Sequence, residues 1–348
     1  MKIYNSDGYP NWPYLWDSAT TFVNIVGGRG TGKSYGALRE VIYRQNAGMI
    51  GKFMYVRRLG NQIKKAKRPA GNPFKKLNLD YFWSIYGFAA DEDLIEFYPC
   101  SPDENGKMKP SGPCIGYGAS ISQTANISSL DFSDVDVIIF DEFVAKANEK
   151  PLRDEAETFL GFYETINRNR EFEGRAPVKC IMLGNAHQLA NPYYIEWGFM
   201  SQALRMIRGK QMMWKTADGT RAMILLLDSP ISAKKRQTAL YQNVSDGFIS
   251  MAIDNSFMSD PTSVNSRPLR EYNYVCTVGE LGIYIHKRDG TYYINGVTRK
   301  ERAYAGRGFE LEQWRVHYGL FKTLYYADAL TFDTYDHELI FRSYLKMI

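Results

Sequence analysis

The run Gly27-Gly28-Arg29-Gly30-Thr31-Gly32-Lys33-Ser34 has the spacing GxxxxGK[ST]. Glycines there let successive backbone N–H groups turn toward an anion, and a helix starting at the end of the run adds its positive pole. Lys33 is expected to reach the β- and γ-phosphates of a nucleotide, and the Ser34 hydroxyl to ligate magnesium. Farther along, the apolar run Val137-Ile138-Ile139-Phe140 ends in Asp141-Glu142. Asp141, at a strand tip, suits the metal, directly or through water. Glu142 beside it is placed to polarise an attacking water as general base. The expected chemistry is hydrolysis of ATP to ADP and phosphate, with ATP and Mg2+ as cofactors.

Two further polar clusters bear on that chemistry. The apolar stretch Val178 to Leu183 ends in Gly184-Asn185, where Asn185 is a candidate sensor of the γ-phosphate; an Asn-capped turn is the plainer reading. Upstream lies Asn167-Arg168-Asn169-Arg170-Glu171 at the end of a helical pattern. Residues two apart on a helix diverge, so Arg168 and Arg170 should not serve one site together. Either one of them reaches a neighbouring subunit's nucleotide as an arginine finger, or both form an ordinary basic helix end. Trp12, Tyr14 and Trp16 are candidates to stack on adenine, although packing against the sheet edge is favoured. His187, His286, His317 and His337 are isolated and read as structural.

These residues need elements to position them. Thr21 to Val26 reads as a buried strand, followed by the glycine run and a helix to Gln45. Lys52 to Arg58 is a second strand, read as the in-between strand that separates the two motif strands. An intervening strand distinguishes ATPases with a catalytic glutamate from simpler kinase-type P-loops. Residues 59–78 are rich in Lys, Pro, Gly and Asn and read as loop. Leu94 to Tyr98 and Cys114 to Tyr117 read as hairpin arms, Asp136 to Phe140 as a strand covered on both faces, and Asp154 to Asn169 as a helix. Val178 to Leu183 and Ala222 to Leu227 are two more strands. Strands alternating with helices imply a mostly parallel α/β sheet of the RecA-like (ASCE) P-loop type over residues 1–228. A linker is expected over 229–260 and a smaller α+β domain over 261–348.

Composition narrows the setting. At 348 residues the chain has room for two domains. No apolar run is long enough for a membrane span, and the N-terminus lacks a signal-peptide core. Cys100, Cys114, Cys180 and Cys276 are scattered without metal or disulfide spacing, so a reduced, cytosolic protein is expected. The whole chain carries a net +5, yet between Glu40 and Asp80 there are ten basic residues and no acid. The remainder is therefore net acidic. Such a block suggests contact with a polyanion, or a solvated surface loop.

GGRGTGKSY, the YVRR at Tyr55 to Arg58, the IIFDEF at Ile138 to Phe143, the NRNRE at Asn167 to Glu171 and the LGNA…NPYY from Leu183 to Tyr194 occur in that order. Together they resemble the encapsidation (DNA-packaging) ATPases of small podoviruses with terminal-protein genomes, relatives of the large terminases. The resemblance is specific over residues 20–200 and much weaker beyond. It implies translocation of double-stranded DNA by a homo-oligomeric ring, a pentamer, docked on the portal (connector) of an empty procapsid. It leaves room for a structural packaging RNA between ring and capsid. The expected location is the host cytoplasm, transiently at the portal vertex, and not the mature virion or a membrane. The resemblance also implies that Arg168 is the trans finger and that Arg29 senses nucleotide state in cis. The trans-acting lysine that relatives carry ahead of the carboxylate strand has no counterpart in residues 120–131. Loops after the second strand face the pore in ring motors, so Lys64, Lys65, Lys67 and Arg68 are expected to grip duplex phosphates.

In the C-terminal part, Tyr272 to Val278, Leu281 to Lys287 and Thr291 to Asn295 read as a strand meander followed by helices near Glu312 to Tyr325 and Asp336 to Met347. That order fits an RNase-H-like domain, the nuclease module of large terminases. A two-metal nuclease needs clustered carboxylates, one of them on the first strand, and Tyr272 to Val278 has none. An inactive, nucleic-acid-binding remnant is expected. Two other readings stay open: a nuclease-competent terminase large subunit, and a nucleic-acid-binding P-loop ATPase that does not translocate.

Overall fold

The computed structural model describes residues 3–16, 19–145, 152, 154–185, 191–227, 229–238, 266–327 and 329–345. His187 and most of the expected linker lie outside these residues. The chain divides into two compact units, residues 1–187 with 209–256, and residues 188–208 with 257–348. The division in space thus differs from the boundary drawn along the sequence. After 187 the chain leaves the first unit and returns at 209 to add its last strands.

The first unit is built on a ten-stranded sheet. Its strands are β1 (Phe22–Gly27), β2 (Lys52–Arg57), β3 (Ile85–Ala89), β4 (Ile95–Pro102), β5 (Met108–Pro110), β6 (Gly116–Ser120), β7 (Val135–Asp141), β8 (Lys179–Asn185), β9 (Met213–Lys215) and β10 (Arg221–Leu226). Across the sheet the order is β3-β4-β6-β2-β7-β8-β1-β10-β9, with β5 paired to β4. From β6 to β10 all neighbours are parallel, and the flanking strands are antiparallel. The continuous apolar runs of β7 and β8 follow from this, because a parallel strand is covered on both faces. Helix α1 (Trp12–Leu15) and helix α2 (Lys33–Asn46) lie on one face, where Val23 and Ile25 share a buried core with Trp12, Ala37, Leu38 and Val41.

Two expectations are corrected here. The strand between β1 and β7 in space is β8; β2 flanks β7 on its far side. Crossover connections set spatial order, and position along the chain does not. Residues 59–78 also hold more structure than a loop: α3 (Gly60–Lys64), a 3-10 turn over Lys65–Lys67, and the start of α4 (Lys75–Tyr81). Their charged composition hid four apolar anchors, Ile63, Ala66, Phe74 and Leu77, all of which are buried.

The basic block dissolves in the same way. Arg58 is 1% exposed and gives a bidentate pair to Glu155 at 2.6 and 2.7 Å, tying the end of β2 to the first turn of α5 (Glu155–Asn167). Arg57 pairs with Asp141 and Glu142, Lys52 with Asp134, Arg44 with Glu40, and Lys76 with Asp80. A charge count along the chain cannot see acids brought in from distant strands. Removing one partner of a buried pair strands the other in low dielectric. Arg58→Ala is therefore expected to lower unfolding free energy by about 3–5 kcal/mol, measured by urea denaturation. A loss below about 1 kcal/mol would mean that Glu155 finds water.

The second unit carries a sheet ordered β14-β11-β12-β13-β15, where β11 is Tyr272–Val278, β12 Leu281–His286, β13 Tyr292–Asn295, β14 Ala303–Tyr304 and β15 Leu330–Phe332. The meander β11–β13 is antiparallel, as read from the sequence. Two edge strands not read there join it, β14 parallel to β11 and β15 parallel to β13. The helix expected over Glu312 to Tyr325 is two, Gly308–His317 and Leu320–Tyr326. Glu280 and Asp289 sit in separate turns, and Asp289 is engaged by Thr291 and His286. Helices Pro192–Glu196 and Met200–Arg208 belong to this unit and touch its helix Tyr335–Tyr344.

Candidate functional site

The parallel register sets the site. Because β8 lies beside β1, Asn185 is level with Gly27, and because β7 lies beside β8, Asp141 is level with Leu183. The glycine run, Asp141-Glu142 and Asn185 therefore meet at the carboxyl ends of three adjacent strands, where ligands bind in open α/β sheets. They line a cleft of about 510 Å³ together with Arg29, Thr31, Lys33, Ser34, Tyr35 and Gly184. Gly30 and Gly32 hold φ at +67° and +83°, a region that favours glycine, and α2 begins directly after Gly32.

Lys33 is buried at 7% exposure, and its Nζ donates to the carbonyls of Gly27 and Gly28 at 2.8 Å each. It lies 3.3 Å from Thr31 Oγ1 and from Asn185 Oδ1. Burial pulls its pKa down to about 7, against the pull of Asp141 and Glu142; a second ammonium, that of Lys235, adds to the lowering. Ser34 Oγ donates to Asp141 Oδ1 at 2.6 Å. Two hard oxygen ligands thus converge beside the loop, a donor set suited to magnesium.

Arg57 and Tyr55 complete the site, and the sequence reading had not assigned them a role in it. They are two apart on β2, so they share a face, and β2 runs parallel to β7. Tyr55 OH donates to Asp141 Oδ2 at 2.9 Å. Arg57 forks, one nitrogen to Asp141 Oδ2 at 3.1 Å and the other to Glu142 Oε2 at 2.6 Å. Glu142 itself has φ +58°, a strained setting for a residue with a Cβ, and one that recurs where function demands it. The YVRR run was the available signal, but only the strand order shows what it faces.

The other expected site residues lie elsewhere. Arg168 caps the end of α5 with φ +44°; it donates to the Leu130 carbonyl at 3.0 Å and pairs with Asp131 at 3.4 Å. Those partners precede β7, whereas Asp141 ends it, so Arg168 stands roughly 20 Å from its own chain's cleft. Arg170 is buried, paired to Asp136 and bonded to the Ser133 carbonyl at 3.3 Å, which is a structural role. Lys65, Lys67 and Arg68 are exposed and make no ion pair among the described residues. Lys64 is partly committed, 3.6 Å from Glu92 and 3.5 Å from Asp93. Trp12 and Trp16 are buried in the core, and Tyr14 packs against it. A second cavity of about 500 Å³ opens on the other side of Gly30 and Gly32, lined by Tyr9, Trp12, Tyr35 and Arg39 among others.

The chain is similar to the DNA packaging protein of Bacillus phage phi29, 23% identical over 278 residues that cover 78% of this chain and 74% of that one. It is 22% identical over 320 residues to the DNA packaging protein of Bacillus phage B103, covering 88% of each. Among solved structures, the Phi-28 gp11 DNA packaging motor aligns over 98% of this chain and 99% of its own, with a TM-score of 0.60 at 18% identity. The bacteriophage Phi-29 viral genome packaging motor assembly aligns over 97% and 99%, with a TM-score of 0.56 at 19% identity. At such identities the structures speak for the fold. The family described as Podovirus DNA encapsidation protein (Gp16) matches residues 106–304, a span that contains both carboxylates of the cleft, Arg168 and Asn185. That match covers more than half of the chain, and with the geometry above it makes this protein a member of the podovirus DNA encapsidation protein family.

Proposed function

We propose that this chain is the ATP-hydrolysing motor that drives double-stranded DNA through the portal into the procapsid. The observation that carries the reading is the convergence of Lys33, Ser34, Asp141 and Glu142 on one cleft, in a chain of the encapsidation family. Lys33 exchanges the Gly27 and Gly28 carbonyls for the outer phosphates. Ser34 and Asp141 would hold magnesium, which would supply positive charge against the phosphates. Glu142 turns from Arg57 toward the attacking water and takes its proton. Asn185, already within reach of Lys33, registers the terminal phosphate. The cavity beside Gly30 and Gly32 has room for the rest of the nucleotide.

Arg168 is too distant to serve its own cleft and is exposed, which suits a finger offered to a neighbouring subunit in a homomeric ring. One similar structure is described as a viral genome packaging motor assembly, which supports self-assembly of this chain; the proposed place of that ring is the portal vertex, in the host cytoplasm. Lys65, Lys67 and Arg68, with Lys64 at their edge, are the cations left over for duplex phosphates. Assembly with cognate proheads and DNA tests the reading: ATP should protect the DNA from nuclease. Replacing all four cations with glutamine is expected to lower DNA affinity and to flatten the slope of log K against log salt by roughly 3. Hydrolysis that ignores DNA, or a prohead assay without protection, would remove the motor and leave a nucleotide switch.

A further inference from the structure

The segment after β10 returns to the nucleotide cleft. Leu226, the last residue of β10, packs against Gly27 so closely that a Cβ there would lie 2.7 Å from Leu226 Cβ. A short helix, Pro230–Arg236, follows at once, and Pro230 abuts Gly8. From its last turn Lys235 extends over the apex of the glycine loop. Its Nζ donates to the Arg29 carbonyl and lies against Gly30, where any Cβ would collide with it. No carboxylate pairs with Lys235 among the described residues.

The charge pattern needs explaining. Lys33 and Lys235 direct two ammonium groups at one loop, Lys33 onto the Gly27 and Gly28 carbonyls and Lys235 onto that of Arg29. Lys235 is half-buried there. Two cations that disfavour one another, one held only by a backbone carbonyl, raise the energy of the site. A polyanion between them relieves it. An ordinary surface lysine would instead extend into solvent or seek an acid.

We propose that Lys235 is a further polyphosphate-binding residue of this site, carried by the helix that follows β10. It exchanges the Arg29 carbonyl for an oxygen of the outer phosphates. The helix Pro230–Arg236 is thereby tied to the phosphates, and its position reports whether the terminal one is present. This assignment rests on the nucleotide reading of the cleft, and supplies it with a cation that no motif predicts.

Binding of MgATP and MgADP to the full chain, followed by fluorescence of labelled nucleotides, tests it, with K235A, K235R and wild type compared. Losing one charge-assisted bond to the outer phosphates should weaken ATP binding roughly tenfold and ADP binding clearly less. K235R should restore most of the loss. Hydrogen exchange in residues 229–238 should slow with ATP in wild type and stay unchanged by ATP in K235A. Unaltered ATP affinity in K235A would overturn the assignment, as would equal loss of both nucleotides without rescue by arginine. Wild type that bound no ATP would instead defeat the nucleotide reading itself, so the two failures are distinguishable.

Discussion

Glu142→Gln is expected to bind MgATP as well as wild type while hydrolysing it about 10² to 10⁴-fold more slowly. The amide keeps the size and one acceptor of the carboxylate but cannot take a proton from water. Binding should be spared because the groups proposed to hold the phosphates, Lys33, Ser34 and the loop glycines, are unchanged in this variant. The side chain has a second partner to lose. Arg57 grips Glu142 Oε2 at 2.6 Å and Asp141 Oδ2 at 3.1 Å, so the glutamine variant leaves Arg57 a neutral acceptor in place of one of its two carboxylates. Single-turnover hydrolysis, with affinity measured separately, checks this. Turnover within tenfold of wild type would take the role of base away from Glu142. In the prohead assay the same variant should engage DNA and then stall.

Lys33 should show itself in two ways. Lys33→Ala removes the ammonium proposed to span two phosphates, and two charge-assisted bonds correspond to a loss of ATP affinity on the order of a hundredfold or more. The second signature is a pH dependence. With burial holding its pKa at about 7 rather than 10.5, the side chain is largely neutral in alkaline solution. Phosphates favour the charged form, so the pKa rises on binding, and a proton is taken up wherever the pH lies between the two values. Affinity is then expected to fall as pH rises above 7, approaching tenfold per pH unit. With saturating magnesium the terminal phosphate of ATP is fully ionised throughout this window and does not confuse the slope. Lys33→Arg keeps its charge throughout and should flatten the dependence. Calorimetry in buffers of different ionisation enthalpy would read the proton directly. Affinity independent of pH from 7 to 9 would show that Lys33 stays charged without a ligand.

Local chemistry was legible in the residues alone. GxxxxGKS prescribes a turn that only glycines can make, and the strand ending in Asp141-Glu142 announces carboxylates at a tip. Nearest neighbours in the chain determine both, so the sequence determined the nucleotide loop, the carboxylate pair and the alternation of strands and helices. It also determined the C-terminal meander, whose turns are short enough to be local.

What the tertiary structure decided depends on residues far apart in sequence. The insertion of β8 between β1 and β7 brings Asn185 level with Gly27, and the place of β2 beyond β7 aims Tyr55 and Arg57 at the carboxylates. No periodicity records strand order. The partners of charged groups are out of reach for the same reason: Arg58 meets Glu155 across 97 residues. A side chain's electrostatic role is set by what lies within a few ångströms of it, and folding alone brings those groups together.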